Sequence, residues 1–198
     1  MKNSFLSLLF LLFLIPVLSL SGCSLTPEAY DEPLLTFDHL EKQELPVARI
    51  QFLNQYNPPM DNGHIEYKTR NAPVTSLQKW LEKRFVPANT QGTMRMFVEE
   101  ASLVKRDLPV TDSIFGVFNV EPSQEYKARI FSKIEFLDDN GALQASYNIR
   151  AERQVSLPNN ATLVEKDRTI FRLMESLMQS IDTEMLKIVD DYKSDYSL

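Results

Sequence analysis

A chain of 198 residues, 43% of them hydrophobic, is long enough for one domain with a real core. It carries 27 acidic against 21 basic residues, a net charge of −6, which argues against nucleic acid as a partner and, more weakly, against anionic headgroups bound through a basic patch. A single cysteine rules out an internal disulfide.

The chain opens Met1-Lys2-Asn3-Ser4, with one positive charge, and continues in an apolar run from Phe5 to Leu20 broken only by Ser7, Pro16 and Ser19. A short basic start, an apolar middle and small residues at the end have the form of a secretory signal peptide. The run ends in Leu20-Ser21-Gly22-Cys23: an apolar residue, two small ones and cysteine. This tetrapeptide resembles the lipobox of bacterial lipoproteins. In that family the cysteine thiol receives diacylglycerol, signal peptidase II cuts before it, and the new amino group is acylated. The resemblance therefore implies lipid attachment at Cys23, with Leu20, Ser21 and Gly22 completing the lipobox. The covalent diacylglycerol and N-acyl chain would be the only non-protein groups, and no other cofactor is expected. Each buried methylene contributes ~0.8 kcal/mol, so two or three chains hold a protein where one would not.

Two plainer readings compete. An uncleaved transmembrane helix would need about 20 apolar residues, more than the run offers, and Pro16 would disturb it. An ordinary signal peptide would leave a lone thiol unexplained. In enterobacterial lipoproteins an aspartate after the cysteine retains the protein at the inner membrane. Ser24 stands here, so the resemblance implies the periplasmic face of the outer membrane rather than the inner one.

Residues 1–22 are thus expected to leave as a signal peptide, residues 23–45 to form the lipidated N-terminus and a flexible acidic tether, and residues 46–198 a single domain. Loss of Lys2 takes the net charge of the remaining 176 residues to −7. The tether holds Pro27, Pro33 and six acids between 24 and 45, opposed only by Lys42. Such composition extends rather than collapses. The trio Leu34, Leu35 and Phe37 offers a means of docking on the domain.

Val47, Ile50, Phe52 and Leu53 mark a first strand, closed by Asn57-Pro58-Pro59 and Asp61-Asn62-Gly63. His64 to Thr69 suggests a short strand with Ile65 and Tyr67 on one side. Thr75 and Gln78 have capping-box spacing, and Val74, Leu77, Leu81 and Phe85 recur at helical period beside Trp80. Gly92 to Lys105 alternates as a strand, placing Met94, Met96, Val98, Ser102 and Val104 on one face. Tyr126 to Phe136 alternates cleanly, Asp138-Asp139-Asn140-Gly141 supplies a turn, and Leu143 to Glu152 returns, giving a long hairpin with one wet face. Thr162 and Glu165 form a capping box for a last helix of roughly 30 residues, ~45 Å, expected to extend past the sheet. Strands with one wet face need a helical layer on the other. The expected fold is α+β: a two-layer sandwich of a mostly antiparallel sheet with two helices on one face.

This layout of anchored cysteine, acidic tether, strand, tryptophan-bearing helix Ser76 to Phe85, meander and terminal helix resembles a loose group of periplasmic lipoproteins. It includes the auxiliary lipoprotein components of ABC-type and paraquat-inducible-type lipid transport systems, and related small envelope lipoproteins. The resemblance implies an accessory role in transport or assembly, and no binding residue is carried over. The stretch from Arg106 to Ser123 departs from that layout as an insertion.

Catalysis needs a nucleophile with a base, paired carboxylates or metal ligands. His39 falls in the tether and His64 after a turn, without HxH or HxxxH spacing or a second cysteine, so no metal site is expected. No serine sits in a GxSxG elbow and no glycine run resembles a phosphate loop. Glu99 and Glu100 point to opposite faces of a strand and cannot act as a dyad; strict alternation would place Glu100 on the apolar face, and a bulge or the strand end is expected to turn it to solvent. No catalytic residue is assigned and the chain is expected not to be an enzyme. The segment Ile114-Phe115-Gly116-Val117-Phe118-Asn119-Val120 has two readings: an exposed apolar patch in which Ile114, Phe115, Val117 and Phe118 contact a partner or lipid, or another core strand.

The functional expectation is a membrane-anchored, non-enzymatic accessory module that binds an envelope transport or assembly complex. The alternative is a carrier of lipid or a small apolar ligand. Membrane contact would run through the lipid anchor, nucleic acid is not expected, and no oligomeric state follows from the sequence.

Overall fold

The computed structural model describes residues 33–61, 63–108 and 122–196. Eight regular elements follow in chain order: strands β1 (Gln43–Leu45) and β2 (Arg49–Asn54), helix α1 (Pro73–Arg84), strands β3 (Phe85–Pro87), β4 (Thr93–Asp107), β5 (Pro122–Leu137) and β6 (Leu143–Pro158), and helix α2 (Leu163–Tyr196). A 3-10 turn, Glu66–Lys68, lies between β2 and α1. The main sheet runs β2-β4-β5-β6. β2 lies parallel to β4 because the chain between them crosses back through α1, and the remaining pairs are antiparallel. β1 and β3 form a separate parallel pair. The expected α+β architecture, with a mostly antiparallel sheet and two helices, is the one observed.

The β5–β6 hairpin shows why the sheet has one dry face. Tyr126, Ala128, Ile130, Ser132, Ile134 and Phe136 alternate inward and are all buried. They meet Ile170, Leu173, Met174, Leu177, Met178, Ile181 and Met185, the apolar stripe of α2, in a core that also takes Leu77, Trp80 and Leu81 of α1. The lengths match: 16-residue strands extend ~53 Å, and the 34-residue helix extends ~51 Å. α2 therefore does not overhang. Its last turn is pinned where Tyr192 donates to Gln144 Oε1 (3.1 Å) and Tyr196 to the Gln144 carbonyl (2.9 Å). The Tyr192 ring also stacks on Phe136, with centroids 3.8 Å apart.

Several local expectations change. Residues 33–45, expected as the end of the tether, are packed on the domain: Leu35, Phe37 and Leu45 are buried, and β1 lies within this stretch. α1 starts at Pro73 rather than behind Thr75, with Ala72 as N-cap and no side-chain cap. Proline at the first position needs no partner for a missing N–H, and its ring presets φ. The Gln78 amide instead reaches Glu82.

Residues 64–69 do not form a strand. Ile65 N–H and the Gly63 carbonyl make two bonds to β4, after which the Glu66 carboxylate takes the Leu103 N–H and stops the ladder. Ile65 is buried while Tyr67 is exposed. In β4, Val98 opposes Ser132 and Glu100 opposes Phe131, so Glu99 is an extra residue, a β-bulge. The inner face resumes at Ala101 and Leu103 instead of Ser102 and Val104. Glu100 is turned to the open face, where it accepts from Ser102 (2.9 Å) and lies 3.7 Å from Arg129.

Candidate functional site

Residues 33–41 cross the helices as a strap. The Pro33 carbonyl accepts from the Asn71 amide (2.8 Å), and the same side chain takes the Leu35 N–H (2.9 Å). Leu35 and Phe37 turn inward. Phe37 has φ of 61°, a left-handed conformation that bulky side chains rarely adopt, and its carbonyl receives the Leu40 N–H to close a turn. Beyond that turn Asp38 pairs with Lys83 (2.8 Å), whose hydrogen bond holds the carboxyl below its usual range. Arg84 then binds the Glu41 carbonyl.

Between the strap and α2 lies an open groove of about 650 Å³. Leu34, Phe37, Leu40, Phe171 and Met178 supply apolar wall, and Arg172, Glu175 and Gln179 a polar rim with His39. Trp80 and Asp182 form the floor. Asp182 accepts from Trp80 Nε1 (2.9 Å) and Arg84 Nε (2.8 Å), with Arg84 Nη2 at 3.3 Å from its second oxygen. The floor is therefore a closed ion pair, with its carboxylate already occupied. An apolar chain or a partner's hydrophobic side chain suits such a groove, whose size lies within the range of small-molecule sites.

A second polar cluster sits beside β4. Glu66 Oε1 accepts from His64 Nδ1 (2.8 Å), Tyr56 Oη (3.0 Å) and Leu103 N–H (3.0 Å), while its buried Oε2 has no partner among the described residues. Burial alone would raise its pKa, but these bonds outweigh burial and hold the carboxyl below its ordinary 4.5. Burial, and then the Glu66 carboxylate, push the Tyr56 phenol well above its ordinary range, so it stays protonated at neutral pH and cannot act as a base. Its bond to Glu66 instead ties Tyr56 to the carboxylate that holds the Leu103 N–H of β4. Among the described residues no group of three or more metal-ligating side chains comes together, and no helix is long and apolar enough to cross a membrane.

Cys23, the lipobox residues Leu20, Ser21 and Gly22, and the segment with Ile114, Phe115, Val117 and Phe118 lie outside the described residues. His39 lines the groove rim and His64 joins the Glu66 cluster; the structure does not bring the two together. The groove itself was not foreseen. Its available signal was an apolar trio in a charged segment, with Phe171 flanking the apolar stripe of α2.

No protein-family model and no curated protein matches the sequence. Among solved structures, the chain is similar to rare lipoprotein B from Shewanella oneidensis, at 14% identity over 74% of this chain and 97% of that one, with a TM-score of 0.38. It is also similar to a minor lipoprotein from Acinetobacter baumannii (11%, 75% and 95%, TM-score 0.40) and to an uncharacterized lipoprotein B from Nitrosomonas europaea (18%, 76% and 87%, TM-score 0.42).

Proposed function

We propose that the chain is an exported lipoprotein, anchored through acyl chains on Cys23 at the periplasmic face of the outer membrane. Its domain serves as a non-enzymatic module that binds an envelope transport or assembly complex. The observation that carries this reading is the groove: it is bounded by the strap, which begins ten residues after the lipobox cysteine. A partner seated there would engage the anchored end of the domain. The carboxylates of Asp182 and Glu66 and the imidazole of His64 are committed to structural bonds, in keeping with a binding role. The second reading, a carrier of lipid or a small apolar ligand, is favoured by the groove's volume and its walls of Phe37, Leu40 and Phe171.

Photo-crosslinking in living cells tests both. A reactive residue replaces Leu34, exposed at the groove mouth, with a control at Lys133 on the open face of the sheet. A protein adduct from position 34 alone supports the accessory module and identifies its partner. A lipid adduct from that position supports the carrier. If position 34 gives neither, the groove is not the working surface. Labelled palmitate incorporation that survives Cys23→Ser would remove the anchor.

A further inference from the structure

Among the described residues β6 is an outer strand of the sheet: it pairs with β5 along one side, and no described strand lies on the other. From Ala145 to Leu157 its pairing with β5 is regular, without a bulge or an internal proline. A free edge of this length is a template for another strand unless something blocks it.

On the open face, residues at equal distance on either side of Ala151 suit one another: serine stands against serine, asparagine against glutamine and arginine against glutamate. On the open face stand Ser146, Asn148, Arg150, Glu152, Gln154 and Ser156, all exposed. Glu152 is held by Lys127 (2.6 Å) and Arg129 (2.7 Å). Arg150 lies over the Phe131 ring, 4.9 Å from its centroid, with no carboxylate partner among the described residues. We propose that two copies of this chain join β6 to β6 in antiparallel fashion, about a two-fold axis through Ala151. The two four-stranded sheets then become one of eight strands.

Opposed residues in an antiparallel pair share a face, so the centre of symmetry fixes every partner. With the centre at Ala151, Arg150 meets the partner's Glu152, and the symmetric contact repeats it. Asn148 meets the partner's Gln154, Ser146 the partner's Ser156, and on the inner face Tyr147 the partner's Val155. Centring on Arg150, Glu152 or Arg153 would place like charges directly opposite each other. Centring on Ile149 would leave Arg150 facing asparagine. Ala151 is thus the centre that pairs Arg150 with Glu152, while Arg153, held by Ser176 and Ser180, faces the partner's Ile149.

The adjoining flank of α2 leaves room for a second helix. Ser176, Ser180 and Thr183 line a shallow groove beside the edge, next to Arg150–Arg153. These are small side chains at helical spacing, and two antiparallel α2 helices can approach across them. Arg153 occupies this groove, bound to Ser176 and Ser180, and its Nη1 caps the Glu152 carbonyl at 2.8 Å. It must release that carbonyl for the ladder to close, so it tunes the association.

The test uses the full lipidated chain in native membranes, with Ala151→Cys as the added thiol and mild oxidation. Cα atoms facing across a two-fold in an antiparallel pair are ~4.5–5.5 Å apart, within disulfide range. A disulfide-linked homodimer is expected. Adding Arg150→Glu, which opposes two pairs of carboxylates, should lower the linked fraction roughly tenfold. Coexpressing that variant with Ala151→Cys/Glu152→Arg should restore it, because every opposed pair is then complementary. Thermal unfolding unchanged by Arg150→Glu shows that the loss is one of association. Absence of a homodimer from the folded chain, indifference to Arg150→Glu, or a disulfide to a different protein would each overturn the proposal.

Discussion

Asp182 of α2 and Trp80 of α1, 102 residues apart in the chain, meet through a 2.9 Å hydrogen bond from the indole N–H to the carboxylate. The same carboxylate neutralises the buried guanidinium of Arg84. Removing one member of a buried ion pair leaves the other desolvated without compensation, at about 3–5 kcal/mol. Asp182→Ala should therefore destabilise the domain by about that amount in chemical denaturation. Asp182→Asn, which keeps an acceptor for the indole but not the charge, should lose less. Equal losses from the two variants would show that the charge matters more than the hydrogen bond to Trp80.

The strap depends on Asn71, which is buried and binds both the Pro33 carbonyl and the Leu35 N–H. Asn71→Ala leaves that N–H without its partner in a dry setting, a loss of about 1–3 kcal/mol. The expected result is earlier proteolytic cleavage between residues 33 and 41, with cleavage of α2 little changed. Protection of the strap equal to the parent's would mean that Leu35 and Phe37 hold it through burial alone.

The main elements were legible because one period rules each of them. β5 alternates without interruption over Tyr126 to Phe136, and α2 keeps its stripe from Ile170 to Tyr192, so both patterns survive folding. Legibility failed where a single residue breaks the period. A carboxylate at Glu100 on the apolar face hinted at a bulge, but not at its consequence, that the extra residue at Glu99 moves Ala101 and Leu103 inward in place of Ser102 and Val104. Residues 64–66 are held by a side chain, Glu66, that replaces a strand bond through a contact 37 residues away. α1 begins at Pro73, although Thr75 and Gln78 have the right types and spacing for a capping box, because tertiary contacts and the proline prevail over that local signal. The groove was illegible for a broader reason. Its walls come from the strap, α1 and α2, and only packing brings those distant segments together.

Two glycines offer a matched comparison. Gly92 and Gly141 both have φ of +80°, where an L side chain is strained. A Cβ at Gly141 meets nothing within 4 Å, so Gly141→Ala should show the backbone term alone, about 1–2 kcal/mol. A Cβ at Gly92 would lie 3.1 Å from the Leu137 carbonyl, and the Gly92 N–H is already bound to Asp139. Gly92→Ala should therefore be the more destabilising of the two in urea titration. The reverse order would mean that the β5–β6 turn yields easily at Leu137.

Glu66 should give the domain an acid limb. Its carboxyl is held below the ordinary 4.5 in the folded state by bonds from His64, backbone N–H groups including that of Leu103, and Tyr56, which together outweigh burial. A depressed folded pKa means that the unfolded chain binds the proton more readily. The stabilisation is therefore fully present above about 4.5 and is lost as the pH falls through the lower folded value. Glu66→Gln removes the charge that His64 and Tyr56 address, so its unfolding midpoint should lie below the parent's at pH 7. The gap should narrow as the pH is taken down past 4.5, because the parent loses what the variant never had. Tyr56→Phe deletes one of the bonds and should lie between them at pH 7, about 1 kcal/mol below the parent. A gap between parent and Glu66→Gln that stays constant from pH 7 to 3 would mean that the carboxylate contributes through packing and not through its charge.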